Sequence, residues 1–373
     1  MAKEERFAFL DVVRGLAVIW MIQVHITNVL LNPALRVGWF FDALNISNGF
    51  VAPTFIFCAG AGLWIALSRK GERYRLFGKD LLIYLRRLGY ILVWAYILHA
   101  PFFSLDRLLI ASPDELLPWL QIDVLHVIVF SSLAAMGVYL VVGNLRLATW
   151  IYGIIAFVIM AFTWTIGMFP LDSPFPLLPW SCYLFAGAFV TGIFMQSNDK
   201  GRVARWMFWI GLCGPFILFT SKNIGPAMPW DAVWWSTSIG MHLFRICATL
   251  MLLGMLYFIE NSLRTHKVGV LLQKIGNESL FMYLGHLLFV YGYMKVMVEA
   301  MYGVSELGYG SVALIWIVVT SVFVALMLVW HRLKQQRPDV AMRILVIQLS
   351  WMALSFIVMP ADFSLIRLLG IGQ

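Results

Sequence analysis

Stretches of about twenty apolar residues recur through this chain with few charges inside them, the length a helix needs to cross the hydrocarbon core of a bilayer. Such stretches sit at roughly 7–31, 50–68, 81–99, 120–141, 148–166, 179–195, 204–220, 235–259, 278–297, 310–330 and 343–362. Lipid offers backbone N–H and C=O groups no partner, so each stretch must satisfy its own and fold as a helix. Composition agrees: 61% of the 373 residues are hydrophobic and 12% are charged, against about 45–50% and 25% in a soluble domain. The expectation is an all-α, polytopic membrane protein of about eleven transmembrane helices, forming a single domain over residues 1–373.

The formal charge of +8 raises nucleic acid as a partner. Its distribution points to the lipid bilayer instead, because the positive residues cluster in alternate loops. Eighteen lysines and arginines fall in segments assigned to the cytoplasm, among them Lys3, Arg6, Arg69, Lys70, Arg73, Arg75, Lys79 and Arg146. Five fall on the other side: Arg36, Arg107, Lys222, Lys295 and Arg367. The amino terminus is therefore expected inside, and the first apolar run, interrupted by Asp11 and Arg14, reads as a retained helix rather than a cleaved signal. The inner (plasma) membrane of a bacterium is the expected location. Tryptophans such as Trp39, Trp119, Trp180, Trp230, Trp234 and Trp235 lie near span ends, where their rings suit the headgroup layer. Cys58, Cys182, Cys213 and Cys247 all fall in apolar runs and read as packing residues, with no metal-ligand spacing.

Charged and polar residues inside spans cost insertion energy and usually face a cavity or a partner. The first span carries Asp11, Arg14, His25 and Asn28 on one stripe. Arg14 and His25 point within about 20° of each other and stand about 16 Å apart along the axis. Asp11 can pair with Arg14 one turn away. The stripe fits one wall of a passage, or equally a structural ion pair plus a bonded histidine. Arg86 and Arg87 open the third span, where their guanidinium forks suit phosphate or simply snorkel. Asp123 and His126 open the fourth, three residues apart, as a candidate carboxylate–imidazole pair or a satisfied hydrogen bond. His242 and Arg245 repeat that spacing, and His286 is a further intramembrane imidazole. The stretch Phe50-Val51-Ala52-Pro53-Thr54-Phe55-Ile56-Phe57-Cys58-Ala59-Gly60 reads as close helix packing.

Several of these segments resemble the transmembrane acyltransferase superfamily, which includes heparan-alpha-glucosaminide N-acetyltransferase-like and acyltransferase-three proteins. The resemblance rests on Arg6-Phe7-Ala8-Phe9-Leu10-Asp11-Val12-Val13-Arg14-Gly15, on Phe55, Phe57 and Gly60, and on Val124-Leu125-His126. Pro179-Trp180 to Gly187 and Gly276-Asn277-Glu278-Ser279 to Gly285-His286 extend it to about residue 290. It implies acyl-CoA, acetyl-CoA in the simplest case, as donor, no metal, and a carbohydrate-like acceptor. By the acyltransferase-three pattern His25 is the catalytic histidine, Arg14 a donor-side residue, and Arg86 and Arg87 the arginine motif. Heparan-type enzymes carry their active histidine in the loop after the first helix, and residues 32–49 here contain none.

The expected chemistry is general-base acyl transfer, with transfer through a transient acyl-histidine as the two-step variant. His25 is the base, Asn28 a donor to the oxyanion, and His126 with Asp123 a reserve base. The donor is held by Arg14, Arg86 and Arg87. A homo-oligomer is compatible with this reading. The alternative class is a secondary transporter or proton or small-solute channel using the same polar stripe.

Overall fold

The computed structural model describes residues 7–169, 173–224, 237–304 and 306–361. Lys3, Arg6, Pro170, Pro226, Pro229, Trp230, Trp234, Trp235 and Arg367 lie outside the described residues. Among those described, eleven helices are long and apolar enough to cross a membrane, and the chain is an all-α, multi-pass membrane protein. The spans are Ala8–Leu30, Val51–Arg75, Lys79–Leu98, Val124–Val142, Leu145–Ile166, Leu177–Gln196, Lys200–Ile224, Ile239–Phe258, Ser279–Tyr302, Tyr309–Gln336 and Pro338–Val358. The second is preceded by a helix, Trp39–Asn48, that apolar counting passes over.

The chain divides into two compact units whose segments interleave along the sequence. The first holds Met1–Met21, Val37–Ala95 and Ile122–Ser279; the second holds Ile22–Arg36, Tyr96–Gln121 and Leu280–Gln373. The opening helix therefore lends its first turns to one and its last turns to the other.

In the first unit, glycines bring helix backbones into contact. A Cβ on Gly60 would strike the Leu184 carbonyl, and one on Gly187 would strike the Phe57 carbonyl, so the second and sixth spans cross backbone to backbone. The same device joins the opening helix to the segment Lys267–Asn277: a Cβ on Gly276 would strike the Asp11 carbonyl, and one on Gly15 the Leu272 carbonyl. Small residues permit such approach where lipid supplies no hydrophobic drive. Gly211 and Gly254 do likewise between the seventh and eighth spans. The amino end of the opening helix is capped from a distance, since Glu260 accepts the Ala8 and Phe9 N–H groups at 2.8 Å each. Cys58, Cys182 and Cys247 are buried as packing residues, but Cys213 is exposed.

In the second unit the carboxyl end of the opening helix is tied down by a cation. Arg36 donates to the Leu31 carbonyl at 2.9 Å and to the Asn28 carbonyl at 3.0 Å. Leu30 and Asn32 pair with Leu307 through N–H···O bonds of 2.7 and 3.0 Å. Arg107 pairs with Glu115, which also completes a capping box with Ser112. Arg36 and Arg107, two of the five cations expected on the less basic side, thus each hold local structure in place.

Candidate active site

Three arginines converge on a cavity of about 590 Å³ in the first unit. The opening helix contributes Leu10, Asp11 and Arg14, spaced so that they share one helical face, and Phe7 just before it adds to the lining. The second span contributes Cys58, Ala61, Gly62, Ile65 and Arg69 by the same periodicity, and Arg87 and Met195 close the lining. Arg14 is held loosely, 4.0 Å from the Asp11 carboxylate and 3.4 Å from the Gly276 carbonyl. Gly62 leaves room beside it: a Cβ there would stand 3.8 Å from the Arg14 Nη2. Such a cavity, with three guanidinium groups around it, suits an anion with several oxygens.

The cavity selects among the basic residues. Lys70 and Arg73 pair with Asp80 at 3.3 and 3.5 Å, and Arg75 with Glu72 at 3.5 Å; of this run, Arg69 is the residue that lines the cavity. Arg87 lines it and Arg86 does not, because adjacent helix positions point about 100° apart. Sequence reasoning missed Arg69 as a site residue. Its signal was there in the spacing of positions 58, 61, 62, 65 and 69, which continues the apolar face of the second span into a charge.

His25 belongs to the second unit. Its Nδ1 is hydrogen-bonded to the Tyr291 hydroxyl at 2.7 Å, and its ring centroid lies 5.3 Å from that of His286. Tyr291 is delivered by a π-helical turn, Val290–Met294, inside the ninth span. Such turns interrupt α-helices mostly at functional positions. His286 is fully buried and donates from Nδ1 to the Met282 carbonyl at 2.7 Å, which leaves the lone pair on Nε2. That Nε2 is buried with no hydrogen-bond partner among the described residues. The sequence marked His286 only as a further imidazole and gave Tyr291 no role, since a π turn has no composition signature. Asn28, one turn beyond His25, is exposed.

Asp123 and His126 are neighbours by a different arrangement from the one their spacing suggested. Asp123 is not on the helical face; it is the N-cap of Val124–Val142, its carboxylate accepting from the Leu125 and His126 N–H groups. The Asp123 N–H in turn donates to His126 Nδ1 at 3.2 Å. A backbone group, with the carboxylate 3.5 Å away, therefore sets the imidazole tautomer. Both side chains are buried.

No group of three or more metal-ligating side chains gathers anywhere among the described residues. A search of curated proteins finds no relative that matches this chain. The sequence profile of the catalytic region of heparan-alpha-glucosaminide N-acetyltransferase, however, matches residues 6–205. That stretch contains every residue of the three-arginine cavity, together with His25, Asn28, Asp123 and His126. With more than half its length matched, and the cavity wholly inside the match, this chain belongs to the heparan-alpha-glucosaminide N-acetyltransferase catalytic family.

Proposed function

We propose that this chain transfers an acyl group, acetyl in the simplest case, from cytosolic acyl-CoA to a hydroxyl or amine of a carbohydrate-like acceptor on the far side of the membrane. The observation that carries this reading is the cavity bearing Arg14, Arg69 and Arg87, inside the stretch shared with an acetyltransferase family. A coenzyme A thioester brings phosphate groups that need fixed cations, and guanidinium forks bind two oxygens each. Arg14, Arg69 and Arg87 hold those phosphates, while Arg86 supplies charge at the rim.

The opening helix bears both Arg14 and His25. In this reading His25 donates its Nδ1–H to the Tyr291 hydroxyl, which leaves Nε2 as the base. Nε2 takes the proton from the acceptor as its oxygen or nitrogen bonds to the acyl carbon. The C–S bond then breaks, and the proton held on His25 passes to the departing thiolate. His286 packs beside His25, its ring centroid 5.3 Å away. Asn28, one helical turn away, donates to the oxyanion. His126 with Asp123 stands as the reserve base. The reading takes both units as one acyltransferase domain.

The test is an assay on protein reconstituted in liposomes, with acetyl-CoA on one side and amino sugars, sugar alcohols and glycan fragments on the other, acylated product being read by mass spectrometry. The expected result is a modified acceptor in the wild type and none with His25→Ala, which still binds donor. Turnover retained in His25→Ala moves the base to His126. No modified acceptor together with no donor binding ends the proposal and leaves the polar stripe to transport.

A further inference from the structure

Arg245 sits about 9 Å into the eighth span, six residues past its start, and no carboxylate lies within salt-bridge distance of it among the described residues. Its polar contact is the Tyr183 hydroxyl, 3.4 Å from Nη1, and its guanidinium lies over the Trp180 ring, 5.5 Å from the centroid. The Nε of Arg245 is buried and has no hydrogen-bond partner there. Tyr183 and His242 are fully buried beside it and share a 2.7 Å hydrogen bond between Oη and Nδ1.

The protons in this cluster can be placed. The Tyr183 oxygen accepts from Arg245, and the arrangement that also gives its own proton an acceptor sends that proton to His242 Nδ1. The His242 proton is then on Nε2, which is buried and also without a partner among the described residues. Two donors, one on a permanent cation, are left without an acceptor at the same place in a membrane-spanning bundle. Buried donors are almost always satisfied, and an intramembrane guanidinium is costly without a counter-ion. Arg245 itself is only half-buried, and its Nη2 borders the loop at Gly49, where a Cβ would stand 3.8 Å away.

We propose that Arg245, backed by His242 and Tyr183 and flanked by Trp180, binds an oxyanion: the carboxylate, sulfate or phosphate of a solute or of a lipid headgroup. The site is at the end of its helices opposite the three-arginine cavity in the chain's charge asymmetry, and it is separate from the His25 cluster in sequence and in residues. It lies beyond the stretch that the family profile covers, apart from Trp180 and Tyr183. It stands whether or not the chain transfers acyl groups.

The experiment measures thermal unfolding of the protein in phosphatidylcholine nanodiscs while sulfate replaces chloride at constant ionic strength, and repeats it in discs doped with phosphatidylglycerol. The measurements use an Arg87→Gln background, so that the donor cavity contributes little. The expected result is a saturable rise in midpoint that Arg245→Gln removes. A rise with sulfate identifies a solute anion, and one with phosphatidylglycerol alone identifies a headgroup. Should Arg245→Gln fail to fold, Arg245→Met, which keeps the apolar stem, carries the same expectation. No rise in either disc, or an equal rise in the Arg245 variants, overturns the site.

Discussion

At the scale of single residues, the hydrogen bond between His25 and Tyr291 has a consequence for kinetics. If His25 is the general base, His25→Ala should lower kcat by about 10²–10⁴ and leave donor affinity unchanged. Tyr291→Phe should lower kcat about five-fold, the value of one net hydrogen bond of about 1 kcal/mol, again with donor affinity unchanged. Steady-state rates beside equilibrium donor binding separate these outcomes from a folding defect, which would move both. Arg14 and Arg87, which line the cavity, stood out in the sequence because charge inside an apolar run is conspicuous. Arg69 was passed over because it sat in a run with Lys70, Arg73 and Arg75, and only the spacing of the cavity-lining face of the second span singles it out. The orientation of Asp123 was hidden for another reason: a residue at a helix start serves as a cap or a face residue according to where the helix begins, and a single residue decides it.

At the scale of helices, the motif glycines hold elements together. Gly60→Ala and Gly187→Ala should each destabilise by about 1–3 kcal/mol, because the added methyl meets a carbonyl of the partner helix. Gly89→Ala, which meets nothing within 4 Å, should be neutral or stabilising. Unfolding midpoints in detergent report the contrast. Glu260→Ala should cost about 0.5–2 kcal/mol by freeing the Ala8 and Phe9 N–H groups. The existence of each span was readable, since about twenty apolar residues in lipid have one way to satisfy their backbone, but ends such as Arg75 and Gln336 run six or seven residues past the apolar stretch. The cap from Glu260, the helix Trp39–Asn48 and the π turn at Val290–Met294 were not readable. Each depends on a partner far along the chain or on a backbone register that composition does not encode.

At the scale of the whole molecule, charge asymmetry predicts which face meets the cytoplasm. In a chain whose native cysteines are replaced, a membrane-impermeant maleimide added outside whole cells should label Asp114→Cys and spare Asn144→Cys until the cells are opened. The reverse pattern would turn the protein over and place its three-arginine cavity away from the cytosolic coenzyme. The account rests on that cavity being the donor site, and calorimetric titration of the purified protein with acetyl-CoA tests it most directly. Saturable binding is expected in the wild type. It should weaken about ten-fold or more in Arg14→Gln and Arg87→Gln, a loss of about 1.4 kcal/mol, and change little in Arg86→Gln. Absence of saturable binding at millimolar donor, or binding indifferent to Arg14, Arg69 and Arg87, would contradict it.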